Sequence, residues 1–139
     1  MKNNGFELCR GKKFDIQLDQ SVLWEHVLGE LLAGGRIELK VETVQWRKTG
    51  NIYLEFRNRG ETSGIAATEA DVWVHQLNDD AGRPLVSIMF PIERVRDLAR
   101  WAYAQGWRRR NGGDDRASDG VIVPLHVLAK WLRQGGPRR

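Results

Sequence analysis

Two short runs of strict alternation, residues 36–42 and 52–57, constrain this chain more than any other feature. In "RIELKVE", Ile37, Leu39 and Val41 alternate with Arg36, Glu38, Lys40 and Glu42. In "IYLEFR", Ile52, Leu54 and Phe56 alternate with Tyr53, Glu55 and Arg57. A period of two is the period of a β-strand with unlike faces. The polar stretch "TVQWRKTGN" between them reads as a loop, so the two runs are expected to pair as an antiparallel hairpin. A hairpin closing between Trp46 and Arg47 sets position 38 opposite 55 and position 40 opposite 53.

That register makes Glu38 and Glu55 direct cross-strand neighbours, with Cβ atoms about 5 Å apart, where like charges destabilise a sheet. A divalent cation between the carboxylates relieves the repulsion. Hard oxygen ligands suit magnesium or manganese, and magnesium commonly takes one or two protein carboxylates together with water and substrate phosphate. Lys40 lies two residues from Glu38 and shares its face, where an ammonium can hold a scissile phosphate or orient water. Two acids and a lysine on one sheet face are the equipment of metal-assisted phosphodiester hydrolysis. The alternative is a solvated face of alternating charges, joined by surface ion pairs worth little.

Around this pair the order of elements is regular. "DQSVLWEHVLGELLAGG" carries Val22, Leu23, Val27, Leu28, Leu31 and Leu32 at helical spacing and ends at Gly34-Gly35, with Asp19 or Ser21 as a cap. Glu25 and Glu30 lie off its apolar stripe, about 140° apart. "SGIAATEAD" reads as a turn into a short helix with Thr68 and Asp71 at capping-box spacing. "VWVHQL" and "LVSIMF" are strands on either side of the turn "NDDAGRP". "IERVRDLARWAYA" puts Ile92, Val95, Leu98, Ala99 and Ala102 on one helical stripe. "GWRRRNGGDDRASDG" reads as a loop before the strand "VIVP", and a last amphipathic helix runs through Leu125, Leu128, Ala129 and Leu132. The order predicts one mixed α/β domain over residues 1–139, with residues 1–13 and 134–139 as flexible ends.

Composition narrows the function classes. A length of 139 residues with 41% hydrophobic content suits a single core. A net charge of +4 and a pI near 9.6 favour an anionic partner such as nucleic acid. Cys9 is the single cysteine, which excludes an internal disulfide and a multi-cysteine zinc site. The opening "MKNNGFELCRGKKFDIQL" lacks the apolar core of a signal peptide, and no run reaches the ~18–20 apolar residues of a membrane span. The expectation is a cytoplasmic protein without a membrane partner.

The remaining candidates are cationic and aromatic. Lys12-Lys13, Arg47-Lys48, Arg57 and Arg59, and Arg108-Arg109-Arg110 are candidate phosphate contacts, or else solvated charge runs. Trp46, beside Arg47, has two readings: a ring that stacks on a base or wedges a junction, or one that packs its loop onto the fold. Trp24, Trp73, Trp101 and Trp131 fall in helix or strand patterns and read as core or dimer contacts. His26, His75 and His126 have no spacing that suggests a metal cluster or a nucleophile relay. "GGDDRASDG" does not match the acid spacing of a calcium loop.

"RIELKVE" followed by "KTGNIYLEFRNRGETSGIAATEADVWVHQL", with the later "GGDDRASDGVIVPLHVL", resembles a phage and bacterial branch of the PD-(D/E)xK nuclease superfamily. Its members read roughly as an E-V-K strand, T-G-N, an acidic strand, S-G-I and T-x-A-D-x-W. The similarity covers about residues 14 to 130, and the combined pattern is fairly specific where a lone E-x-K is weak. The resemblance implies a restriction-endonuclease-like domain with a mixed central β-sheet flanked by helices. Within the superfamily the chain most resembles archaeal-type Holliday junction resolvases, small homodimers that cut four-way DNA with magnesium. It therefore implies phosphodiester hydrolysis in a phage or bacterial host cell, leaving 5′-phosphate and 3′-hydroxyl ends.

The residue assignments implied are Glu38 and Glu55 as magnesium ligands, with manganese substituting, and Lys40 or Arg57 as the cation. Glu25, or Glu30 in its place, corresponds to the first-helix glutamate of resolvases. The usual pattern places an acid on one strand and E-x-K on the next, whereas the literal E-x-K here, Glu38-Leu39-Lys40, stands on the first strand. Two alignments stay open: Glu38 and Glu55 as first and second acids, or Glu38-Lys40 as the E-x-K with another acid from elsewhere. The first is preferred, because no strand lies between the opening helix and Arg36 to supply an earlier acid. Other nucleases of the same fold, of end-processing or restriction type, and an inactive DNA-binding module are the competing expectations.

Overall fold

The computed structural model describes residues 26, 28, 29, 32–112 and 116–134. The chain divides into two compact units, residues 1–35 and 36–139. In the first, His26, Leu28, Gly29 and residues 32–34 are helical, within the expected opening helix. Glu25, Glu30, Lys12, Lys13, Trp24 and the proposed caps Asp19 and Ser21 lie outside the described residues.

The second unit is mixed α/β with two sheets. Its elements are β1 (Ile37–Glu42), α1 (Val44–Thr49), β2 (Asn51–Asn58), β3 (Glu61–Thr62), a 3-10 turn (Gly64–Ala66), β4 (Val72–Asn78), β5 (Pro84–Pro91), α2 (Ile92–Ala104), β6 (Arg108–Gly112), β7 (Ser118–Pro124) and α3 (Leu125–Arg133). One sheet has the order β1-β4-β5, and the other β3-β2-β7-β6. β1 runs parallel to β4, and the remaining pairs are antiparallel.

The expected hairpin is therefore corrected. Glu38 stands opposite Trp73 and Lys40 opposite His75, while Glu55 stands opposite Gly120 and Tyr53 opposite Ile122. The physical reason lies at both ends of β1. The stretch read as a loop winds into α1, closed by Gly50 in the left-handed region (φ 68°) with its N–H donating to the Trp46 carbonyl at 2.7 Å. Arg47 and Lys48 occupy its last turn, where cations suit the helix dipole. The indole Nε1–H of Trp46 donates to the Asn78 carbonyl at 2.7 Å, tying α1 to the end of β4. At the other end, Asp71 and Val72 N–H donate to the Arg36 carbonyl and Arg36 N–H donates to Asp71 Oδ2. These bonds start the parallel ladder, and the connection from β1 to β4 is long enough to contain a strand of the other sheet.

The core sits where β2 and β7 pair and α2 packs. Ile52 faces Val123 and Leu54 faces Val121, all at 1% exposure or less. Burial of such a side chain is worth about 1.5–3 kcal/mol. Val95, Leu98, Ala99 and Ala102 of α2 are buried as their spacing predicts, and α2 contacts β4 and β5 of one sheet and β7 of the other. Ile65, Trp73, Leu77, Phe90, Leu128 and Trp131 complete the cluster. On α3 the buried residues are Leu128 and Trp131, and Leu132 is exposed, contrary to its place on the expected stripe.

β1 departs from ordinary patterning. Its apolar residues Ile37, Leu39 and Val41 are 42%, 54% and 40% exposed, whereas Glu38, Lys40 and Glu42 are half-buried. Alternation fixes that a strand has two unlike faces but not which one turns inward. Here the charged face does, because polar partners await it.

Candidate functional site

Glu38, Lys40 and Glu42 share one face of β1, the face of their β4 partners Trp73, His75 and Leu77, all of them buried. Each glutamate has a partner. Glu38 Oε2 accepts the Thr68 hydroxyl at 3.0 Å. Glu42 Oε1 accepts the Tyr53 backbone N–H at 2.8 Å and approaches Nε2 of His75 at 3.3 Å. His75 is fully buried, and its Nδ1 accepts the indole N–H of Trp73 at 3.3 Å, which leaves the ring proton on Nε2, facing Glu42. His75 is thus a packing residue whose Nε2 approaches a carboxylate without a hydrogen bond, and the role of Glu42 has no counterpart among the sequence expectations.

Glu55 is held separately. Its Oε1 accepts the Ser63 hydroxyl at 2.6 Å, and Gly64 packs directly on its backbone carbonyl. Immediately after it the ladder with β7 is irregular: Glu55 faces Gly120 and Arg57 faces Asp119, so Phe56 is an extra residue in a β-bulge. Glu38 and Glu55 are therefore not cross-strand neighbours. They are bound to opposite ends of one short segment, residues 63–68, whose middle is the 3-10 turn.

That segment is locked to α2. Arg96 Nε donates to the Ile65 carbonyl at 3.0 Å, Nη2 to the Thr68 carbonyl at 2.8 Å and Nη1 to Glu93 at 2.7 Å. The expected capping box is corrected by the same contacts. No helix follows Thr68, whose hydroxyl serves Glu38 and also receives the Ala70 N–H. Asp71 turns instead to Arg36, whose backbone N–H, more than its side chain, holds the Asp71 carboxyl below its ordinary range. Ser63 carried no role in the sequence reading and Thr68 only a capping one, although both lie in the S-G-I and T-x-A-D stretches quoted above. Arg96 gave no signal beyond its place on the polar side of a helix.

Among the described residues the cationic candidates are carried by several different elements. Arg47 pairs with Asp80 at 2.9 Å, and Lys48 is exposed at the end of α1. Arg57 is exposed beside the bulge, and Arg59 turns the chain at φ 50°, its N–H donating to the Ala117 carbonyl. Arg108–Arg110, read as loop, begin β6, where alternation sends neighbours to opposite faces. Arg108 lies over the Tyr103 ring at 4.7 Å, whereas Arg109 lies close enough to Tyr53 to favour its phenolate. Trp46 is packed against the core with its N–H engaged, which settles its two readings in favour of packing.

Glu38 and Glu55 offer carboxylate oxygens, each with its other oxygen held by a hydroxyl, the arrangement in which a ligating carboxylate is kept oriented. Among the described residues no group of three or more His, Cys, Asp or Glu is placed to hold a metal. Comparison with protein-family models, with curated proteins and with solved structures returned no match to this chain. Among the described residues no helix is long and apolar enough to cross a membrane.

Proposed function

We propose that this chain is a magnesium-dependent, structure-selective DNA endonuclease of the restriction-endonuclease-like kind, a homodimer that resolves four-way junctions by paired phosphodiester hydrolysis. The observation that supports it is the inward-turned acid face of β1. Glu38 and Lys40 are drawn inward rather than left as solvated charges, and Glu38 and Glu55 are steadied by hydroxyls from one clamped segment.

In this reading Glu38 and Glu55 hold the cation, and manganese substitutes for it. Bound magnesium supplies Lewis-acid polarisation of the phosphate and a more acidic water. Lys40 orients phosphate or water from the same face as Glu38. Arg57, exposed beyond the bulge, offers phosphate a planar guanidinium. A two-fold dimer presents two sites to two strands.

The test is incubation with labelled four-way junction, duplex and single strands, in magnesium or in chelator. Symmetric nicks on the junction, dependent on magnesium and lost in Glu38→Ala while DNA binding persists, are the expected result. Unchanged cleavage by that variant removes the site assignment. Cleavage of duplex or ends in preference to the junction replaces the resolvase reading with another nuclease of this kind, and binding without cleavage in any metal leaves an inactive DNA-binding module.

A further inference from the structure

Beside Glu55 lies a cavity of about 620 Å³, within the roughly 300–1,000 Å³ of small-ligand clefts. Phe56, the bulged residue next to Glu55, lines it together with Tyr103 of α2. Small or apolar side chains, Ile65, Ala66 and Ala99, leave the space between them open. The two rings are 5.8 Å apart at centroids and inclined by 75°, which makes a corner: a flat group can lie on one ring with its edge against the other.

The charge at the rim is cationic. Arg96 also lines the cavity, but its donors are committed to the 63–68 segment and Glu93. Arg100 is 64% exposed, and its partner Asp97 sits one turn away on the same helix, an exchangeable pairing at 3.0 Å. Arg108 stacks on Tyr103 and donates to its hydroxyl at 3.2 Å, so the aromatic corner is bordered by a second exposed guanidinium. Aromatic faces for a planar ring and arginines for phosphate are the two components of single-strand recognition.

We infer that this cavity is a subsite for one unpaired nucleotide, the base against Phe56 and Tyr103 and its phosphate on Arg100. The inference rests on the proposal that DNA is the substrate. It adds that the strand is opened beside the site, with one base drawn out of the stack next to Glu55. The shared chemistry, a base joined to a phosphate, can come from a DNA strand or from a free nucleotide.

The experiment is done in chelator, so cleavage plays no part. Fluorescence anisotropy compares a short single-stranded oligonucleotide, the same oligonucleotide with one abasic position, and free deoxyadenosine monophosphate. The proposal expects Tyr103→Ala to weaken strand binding roughly 5- to 100-fold, Tyr103→Phe to retain it, and Arg100→Ala to weaken it by a smaller factor. The abasic strand should lose affinity in the wild type but not further in Tyr103→Ala. Equal affinity of intact and abasic strands, or of wild type and a folded Tyr103→Ala, overturns the subsite while leaving the nuclease proposal untouched. The full Tyr103 effect in a chain that never cuts DNA keeps the subsite and removes the nuclease. Saturation by the mononucleotide with no gain for the strand reassigns the cavity to free nucleotides and overturns its role in DNA binding.

Discussion

Arg96 donates to the Thr68 carbonyl at 2.8 Å, while the Thr68 hydroxyl donates to Glu38 at 3.0 Å, so one arginine on α2 reaches the candidate acid on β1 through a single residue. Its Nε holds Ile65 in the middle of the same segment. Lysine at this position cannot satisfy three separate acceptors with a fixed fork. Arg96→Lys is expected to lower stability by about 1–3 kcal/mol, the range for charge-assisted bonds to buried carbonyls. Urea denaturation followed by circular dichroism measures it, and a midpoint equal to that of the wild type would show that the clamp contributes nothing.

Thr68 and Ser63 give a sharper test of the proposed metal role. Each hydroxyl steadies one oxygen of one carboxylate, Glu38 or Glu55, and makes no claim on DNA. Removing such a partner typically costs about 10–100-fold in metal affinity or activity. Thr68→Val and Ser63→Ala should each move the magnesium dependence of cleavage to higher concentration by that factor, with DNA affinity in chelator unchanged. An unmoved magnesium titration in both variants would disconnect the 63–68 segment from the chemistry.

Gly64 is required twice over. It has φ of 50°, and a Cβ there would run into the backbone carbonyl of Glu55, which no rotamer change relieves. Gly82 also has a positive φ, 78°, but open space around it. Gly82→Ala should therefore cost only the conformational term, about 1 kcal/mol, and Gly64→Ala about 2–4 kcal/mol or the fold itself. Thermal melts of the two variants separate the contributions. Equal losses would mean that the contact with Glu55 is soft.

These relationships also show where the sequence was readable. α2, β4, β5 and the Val121–Pro124 part of β7 follow from period and punctuation, and on α2 the buried Val95, Leu98, Ala99 and Ala102 are those the spacing picked out. The pairing of β1 was not readable, because alternation is the same whether Glu38 faces Glu55 or Trp73. α1 was hidden by its shortness: six residues show less than two turns of any period. β6 was hidden by composition, since "RRRNG" has no apolar face and becomes a strand only by pairing with β7. The candidate acids were visible as residue types; the hydroxyls and the arginine that position them depend on contacts 8 to 31 residues away in sequence.

The turn between β4 and β5 should give an acid-dependent contribution to stability. Asp79 accepts Arg83 N–H at 2.8 Å, Ala81 N–H at 2.9 Å and Arg83 Nε at 2.8 Å, and these donors, the Arg83 backbone first, hold its carboxyl below the ordinary range. A lowered folded value means that the ionised form is favoured by folding. The contribution is then full above the unfolded carboxylate value of about 3.9 and is lost as pH falls through the folded value. Asp79→Asn should melt below the wild type at neutral pH, with the gap closing as the pH falls through the lowered folded value. A gap that stays constant with pH would assign the effect to turn geometry rather than charge.

At the alkaline end the informative group is Tyr53. Its ring lies on Gly120 of β7, where a Cβ would come within 2.5 Å, and burial is the main cause that raises its phenol above the ordinary value; the hydroxyl of Ser118, 3.0 Å away, works in the opposite direction. Glu55 and Asp119 add to the rise and Arg109 opposes it. A raised folded value favours the protonated phenol, so this contribution to stability is whole below about pH 10 and disappears as pH rises through the folded value. The chain has two tyrosines, and Tyr103→Phe leaves Tyr53 as the single phenol for a near-ultraviolet absorbance titration. Its midpoint should lie above about 10. Adding Ser118→Ala should raise it further, because the group that steadies the phenolate is gone. A midpoint at the free-tyrosine value, or one that falls when Ser118 is removed, would place the ring in water rather than between the strands.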